Sequence, residues 1–432
     1  MEDKKLFNEL KDNIGKIKIF DTHEHIISEK EWRKGEIDFF FFFGCYTRTD
    51  LISSGLKEED FEKLFDPSLD IKKKWEIFNP YWEYIKNTTY SKVILSALKD
   101  LYGIEEINIK AVEIVSEKMN KLKKVDHYSD ILKKRCNIEF ILIDRDTFNQ
   151  FGFMKNNEDY EYFLPVLRLD EIFQISSKDH ISKLEKASDT NISDFKDFIN
   201  LIDKVFEIRK DNIHALKIGT AYTRDLLFDD VSYGEAETSF LKILKLNCYN
   251  QFSYGISMEE MRPFQDFMHH YLIKKAIEYN LPIQIHTGLL EGNGNDIRNS
   301  NPTHLTKLVL KYKNAKFDIF HIGYPYFHEL TAMIKMYPNC YINFCWIAEV
   351  SENLYKNALD LLIDMIPSNK IFGFGGDYLF VEGTYGAQKI ARRIIAEVLY
   401  ERIKNNYFSI EEALKFAERI LNTNAKNIYL KS

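Results

Sequence analysis

Residues 16–25 read KIKIFDTHEH, and the fold follows from how the first half of this stretch recurs along the chain. A short run of Ile and Phe reads as a strand, and it closes on two histidines one residue apart. Side chains alternate across a strand, so His23 and His25 project to the same side, about 6.5 to 7 Å apart along the chain. Seven more short apolar, β-branched runs follow: IEFILID (138–144), FLPVLRLD (163–170), HALKIGT (214–220), LPIQIHT (281–287), FDIFHIG (317–323), CYINFCW (340–346) and IFGFGGD (371–377). Each is succeeded by a longer amphipathic stretch, the alternation expected of βα units around a parallel sheet. Eight such units predict an α/β chain folded as a (β/α)8 TIM-like barrel, with functional residues at the C-terminal ends of the strands.

Residues 29–134 interrupt this pattern. They carry few strand signals and several helical ones, LKEEDFEKLF, KKKWEIFNPYWEYI and SKVILSALKDLYG, with Gly103 as a helix stop. This is a helical insertion after the first strand. The run FFFFF at Phe39 to Phe43 is too short to span a bilayer and is expected in the core or in the wall of the site. Trp75, Tyr81 and Trp82 invite comparison with a lid, but packing within the insertion is the expectation, since aromatics most often serve as core. With no fixed-period repeat and no Gly/Ser linker, residues 1–432 are read as one domain.

The chain is long and apolar enough to bury a large core, with 45% hydrophobic residues in 432. Its 66 acidic and 59 basic residues are interspersed, which argues against nucleic acid as a partner. Five cysteines, Cys45, Cys136, Cys248, Cys340 and Cys345, are odd in number and lack CxxC spacing. They are expected as reduced, mostly buried thiols. The N-terminal MEDKKLFNELKDNIGK has no apolar signal core and no stretch has the length of a membrane span. The expectation is a cytoplasmic protein, free of membranes, that acts on a small molecule and has scope to form a homo-oligomer.

Eleven histidines in 432 residues give about 0.3 HxH pairs by chance, so His23 and His25 alone are a weak signal. Position strengthens it. His286, His321 and Asp377 also stand where an apolar run gives way to a loop, so five imidazole or carboxylate groups from four strands converge on one barrel mouth. Imidazoles with a carboxylate suit Zn²⁺ first, and also Mn²⁺ or Fe²⁺, with a position left open for water or substrate. Lys217, flanked by apolar residues, is costly unless partnered or neutral. It is read as a contact to a substrate carboxylate, a carbamylated bridging ligand, or the partner of an acid on a neighbouring strand. Arg168 stands with Asp170 at the end of the third strand. Arg224, after Tyr222, offers a bidentate fork to an anion. His127, His180, His269, His270, His304 and His328 are expected in surface or helix-packing roles, and His214 at the stabilising end of the barrel.

Read in order, these residues resemble the amidohydrolase superfamily: HxH after the first strand, histidines after the fifth and sixth, aspartate after the eighth. LKIGTAYTRDL (216–226), IQIHTGLLEGNGNDIRNSNPTHL (283–305), HIGYPYFHELTAMIKMYPNCYIN (321–343) and GGDYLFVEGTYGAQKIARR (375–393) are similar to the amidohydrolase-2 group, and within it to the amidohydrolase-like region of nodulin/FluG-type proteins. The resemblance implies that His23, His25, His286 and Asp377 hold a divalent metal and that His321 polarises or protonates the substrate. It implies one ion, or two if Lys217 is carboxylated as a bridge. Relatives of this type also carry a glutamine synthetase-like domain, which is not among these 432 residues, so the chain is expected to act alone or through oligomers.

The mechanism expected on this basis is hydrolysis. A metal lowers the pKa of bound water towards about 7, Asp377 shuttles the proton, and His321 stabilises the oxyanion. Two alternatives share the site. One is decarboxylation or uronate isomerisation, since the fold does not choose the chemistry. The other is a non-catalytic barrel in which the metal only stabilises the fold.

Overall fold

A computed structural model describes residues 2–123, 126–145, 160–175, 178–245 and 256–430. A strand forms within each of the eight predicted runs: β1 Ile19–Glu24, β2 Ile138–Ile143, β3 Phe163–Arg168, β4 Ala215–Ile218, β5 Ile283–Ile285, β6 Phe317–Ile319, β7 Cys340–Asn343 and β8 Ile371–Phe372. They pair in parallel in chain order. The ring closes where the Thr22 N–H donates to Phe374 O at 3.2 Å and the Asp377 N–H donates to His23 O at 2.8 Å. The chain is a (β/α)8 barrel.

Most strands end before the predicted runs do, because the chain leaves the sheet where it aims a side chain into the mouth. His321, Ile322, Trp346 and Asp377 take left-handed φ values of 59°, 46°, 68° and 56°, conformations that cost on the order of 1 to 3 kcal/mol each. The turn into Asp377 also needs Gly376, where a Cβ would come within 2.0 Å of Glu24 Oε1.

The barrel interior is layered. Phe20, Leu142, Leu164, Val166, Ala215 and Phe372 form an apolar floor with Tyr429, from the C-terminal helix Asn424–Tyr429. His214 meets the Tyr429 carbonyl at 3.2 Å, at the stabilising end as expected. Above the floor Lys217, Gln284 and Asp318 are register neighbours on β4, β5 and β6. The functional side chains stand above that polar level.

Between β1 and β2 the described residues form helices alone. Phe39–Phe43 is a short 3-10 helix capped by Asp38, whose Oδ1 accepts the Phe40 N–H at 2.9 Å and whose Oδ2 accepts Lys74 Nζ at 2.7 Å. Phe43 packs on Phe78 and Trp82, with ring centroids 4.8 and 5.8 Å apart, while Phe41 and Phe42 pack on Phe380 in the loop after β8. The phenylalanine run is therefore core that clamps the insertion over the barrel mouth. Trp82 is buried in this packing, as expected, and does not line the mouth. Cys45, Cys136, Cys340 and Cys345 are free thiols, and Cys248 lies outside the described residues. Among the described residues no helix is long and apolar enough to cross a membrane.

Trp82→Ala removes a large ring from packed surroundings and should cost about 3 kcal/mol of stability in chemical denaturation, with kcat and KM unchanged. Altered KM with unchanged stability would make it a lid instead.

Candidate active site

His23 and His25 leave β1 with their rings at 89° to one another and Nε2 atoms 3.3 Å apart. Their outer nitrogens are both occupied. His25 Nδ1 lies 2.9 Å from the Asp144 carbonyl, and His23 Nδ1 lies 3.0 Å from Gln284 Oε1. A carbonyl oxygen only accepts, so in the neutral form each ring carries its proton on Nδ1 and turns an Nε2 lone pair inward. Asp377 Oδ1 stands 3.3 Å from the Nε2 of His25 and 3.7 Å from that of His23. Three acceptors thus converge, and a backbone or amide oxygen holds each imidazole from behind. This donor set and its outer support fit a divalent cation.

Electrostatics agree. Burial, with Lys217 and His25 nearby, holds His23 well below the usual imidazole value. Burial also pushes His25 down, but the hydrogen bond to Asp377 and the charges of Asp144 and Asp377 outweigh it and raise its pKa. Asp377 is lowered despite burial, chiefly by its hydrogen bond and charge interaction with His25. A proton on His25 and a metal ion therefore compete for one place.

His321 leaves β6 through the left-handed turn, donates from Nδ1 to the Cys345 carbonyl at 2.9 Å, and brings Nε2 within 3.8 Å of Asp377 Oδ2. His321, Cys345 and Asp377 form a second group whose ligand atoms lie within 4.8 Å of one another. His286, expected as a metal ligand, stands beside His321. Its Nε2 is engaged by the Leu289 carbonyl at 2.8 Å, because the loop after β5 folds back over the ring, and its Nδ1 faces His321 Nε2 at 3.1 Å. Among the described residues it belongs to neither convergent group. With both outward N–H bonds committed, the His286 and His321 nitrogens that face each other are both acceptors. A shared proton or a second cation relieves that contact.

A cavity of about 240 Å³ opens above these residues, lined by His25, Arg168, Lys217, Tyr222, His286, Glu291 and Asp377, with Gly44, Cys45, Tyr46 and Trp346 at its wall. Arg168 lies across the backbone of Gly219, where a Cβ would sit 2.3 Å from the guanidinium, and stands 3.8 Å from Asp144 Oδ2 and 3.5 Å from Asp170 Oδ1. Lys217 Nζ sits 3.5 Å above the Phe320 ring. Burial pulls its pKa down to about 8 against the raising influence of Asp377, Cys345 and Asp144. Tyr222 packs on His286 and accepts the Glu291 N–H at 3.2 Å.

Arg224 does not line the cavity, contrary to the substrate contact expected of it. Its guanidinium is buried and held by Asp266 Oδ1 at 2.6 Å and by the Leu227 carbonyl, away from the cavity. A buried arginine needs such a partner, and the helix Met258–Glu278 supplies it.

Sequence reasoning does not find Asp144 and Gln284. Asp144 is buried at the end of β2, its Oδ2 3.9 Å from His23 Nε2, and the strand-end rule points at it as directly as at Asp377. Gln284 shares a strand face with His286, two residues on. Tyr46, whose hydroxyl donates to the Asp377 carbonyl, comes from the insertion and carries no sequence signal.

Comparison with known proteins matches this architecture. A family model described as Amidohydrolase matches residues 254–430, and one described as Glucuronate isomerase matches residues 61–308, more than half of the chain. The chain belongs to the glucuronate isomerase family. Within the wider amidohydrolase-type grouping, it is 29% identical over 156 residues to Protein fluG of Emericella nidulans, 36% of this chain and 18% of that protein. It is 26% identical over 235 residues to the Uronate isomerase of Caldanaerobacter subterraneus subsp. tengcongensis, 49% of this chain and 48% of that protein. These alignments span less than half the length of either relative. Crystal structures of a uronate isomerase from Thermotoga maritima (TM-score 0.80, 18% identity, 99% of this chain and 97% of that one) and a glucuronate isomerase from Caulobacter crescentus (0.77, 15%, 99% and 94%) share the fold over nearly the full chain.

Lys217 offers a pH test. Its folded-state pKa of about 8 lies below the ordinary lysine value of 10.5, so between these values the unfolded chain binds more protons and stability rises with pH. Relative to Lys217→Met, the wild type should gain on the order of 3 kcal/mol from pH 8 to above pH 10, read from denaturation at each pH. A flat difference would show that Lys217 keeps its charge in the fold.

Proposed function

We propose that the protein is a metal-dependent isomerase that interconverts the aldose and ketose forms of a hexuronate. What carries this reading is the glucuronate isomerase family match, whose residues 61–308 include Arg168, Lys217, Tyr222, His286 and Glu291 of the cavity. Two cations beside a three-acceptor metal group suit a substrate with a carboxylate at one end and a reducing carbonyl at the other.

His23, His25 and Asp377 would hold the ion, Zn²⁺ first, with Mn²⁺ or Fe²⁺ as alternatives. When bound, it supplies Lewis acidity to a substrate oxygen. The chain's own residues do the rest. Arg168 and Lys217 anchor the carboxylate and so fix which carbon faces Asp377. Asp377 Oδ2, on the His321 side, is placed to take the proton that leaves one carbon and return it to the next. The Tyr222 hydroxyl, whose lone pair is used by Glu291 N–H, keeps its proton for a substrate oxygen. His321, neutral at its pKa of about 4 because of burial, accepts a hydroxyl proton from the substrate. Aldose–ketose exchange needs these transfers and no attacking water.

Hydrolysis, the chemistry expected from the amidohydrolase resemblance, is the runner-up. Residues 254–430 match the Amidohydrolase model, and the same acceptor group would activate a water.

Protein loaded with Zn²⁺ or Mn²⁺ should convert glucuronate to its ketose, followed by NMR in D₂O, with about one metal per chain by elemental analysis. His23→Ala/His25→Ala should lose both the metal and the reaction. Release of acid or amine from amides or esters without isomerisation would restore the hydrolase reading. A metal-bound protein inert towards both substrate types would leave the non-catalytic barrel.

Arg168→Ala should raise the glucuronate KM about 10- to 100-fold, the loss of a charge-assisted contact of about 1.5 to 3 kcal/mol, with a much smaller change in kcat. The reverse split would reassign Arg168 to holding Asp144.

A further inference from the structure

Tyr429 lies at the opposite end of the barrel from the cavity, yet a buried chain of hydrogen bonds joins it to His23. Its ring packs in the floor, with centroids 6.0 Å from Phe20 and 5.7 Å from Phe372. Its hydroxyl donates to Asp318 Oδ2, which also accepts Asn343 Nδ2 at 2.8 Å. With that proton committed, the hydroxyl oxygen accepts from Gln284 Nε2 at 3.2 Å. The same amide nitrogen donates to the Thr22 carbonyl at 2.8 Å.

A primary amide has two N–H donors on one side and an oxygen on the other. When both donors are taken below, Oε1 turns to the mouth, where it meets His23 Nδ1 at 3.0 Å. That contact places the imidazole proton on Nδ1 and leaves the Nε2 lone pair facing His25 and Asp377. A flipped amide would present N–H groups to Nδ1, move the proton to Nε2 and block the inward lone pair.

We propose that Tyr429 is a positioning residue that sets the tautomer of His23 through Gln284 and thereby the metal affinity of the site. The inference rests on the metal-binding reading above. The ring alone would close the floor. The hydroxyl, buried between Asp318 and Gln284, is what distinguishes tyrosine from phenylalanine here.

Tyr429→Phe keeps the ring and removes only the hydroxyl. In metal-free protein carrying ¹⁵N-histidine, the His23 ring signals should shift from the Nδ1–H tautomer towards the Nε2–H tautomer. Affinity for Zn²⁺ or Mn²⁺, by chelator competition, should fall about 10- to 100-fold, the usual effect of losing outer support to a metal ligand. If that variant does not fold, Asp318→Leu carries the same expectation, because it frees the Tyr429 hydroxyl to turn its proton against Gln284. An unchanged His23 tautomer overturns the proposal, whether or not affinity falls. A tautomer shift in a protein whose wild type binds neither metal would sustain the positioning role and overturn the metal reading instead.

Discussion

Everything at the mouth of this barrel depends on three acceptors placed against one another. The His23 and His25 Nε2 atoms and Asp377 Oδ1 stand within 3.7 Å, each turning a lone pair towards the others in the neutral state. Buried acceptors left together are expensive unless a proton or a cation is shared among them. The surroundings hold the arrangement in place. The Asp144 carbonyl and the Gln284 amide fix the two rings from behind, Tyr46 holds the Asp377 carbonyl, and the Asp377 N–H closes the barrel onto His23 O.

The same need accounts for the strained backbone around the mouth. A strand continued in regular geometry would alternate its side chains past the centre, so the chain leaves the sheet early after β6, β7 and β8. His321, Trp346 and Asp377 each take a left-handed φ at such an exit. These conformations persist because the sheet beneath and the insertion above fix the backbone on both sides. Phe39–Phe43, packed on Phe78, Trp82 and Phe380, holds the loop after β8 from above.

The eight strands are legible in the sequence because each is a short apolar run buried on both faces, a pattern that survives without tertiary information. His23, His25, His321 and Asp377 are legible because strand ends are the one place where a barrel tolerates such groups together. Arg224 departs from expectation because Asp266, 42 residues on, is brought in by chain folding to hold its guanidinium. His286 does line the cavity, with its Nε2 taken by the Leu289 carbonyl three residues on. Gln284 is readable as a polar residue two positions before His286, but its function depends on Tyr429, 145 residues away. Tyr46, which lines the cavity, comes from a segment where no period or motif signals a direction.

Lys217 bears on how many ions the site takes. A bridging carbamate would carry negative charge, and the ring below Nζ presents its negative face at 3.5 Å, an arrangement that favours an ammonium and opposes an anion. Asp377, Asp144 and Cys345 pull in the same direction against the burial that lowers its pKa to about 8. A charged Lys217 disfavours a second cation at the facing His286 and His321 nitrogens, and burial with Lys217 nearby keeps both rings neutral. Lys217 stands with Arg168 in the lining of the cavity. One metal group, a neutral imidazole pair and two cations in the cavity are mutually consistent, and they agree with the proposed isomerase better than with a water delivered between two metals.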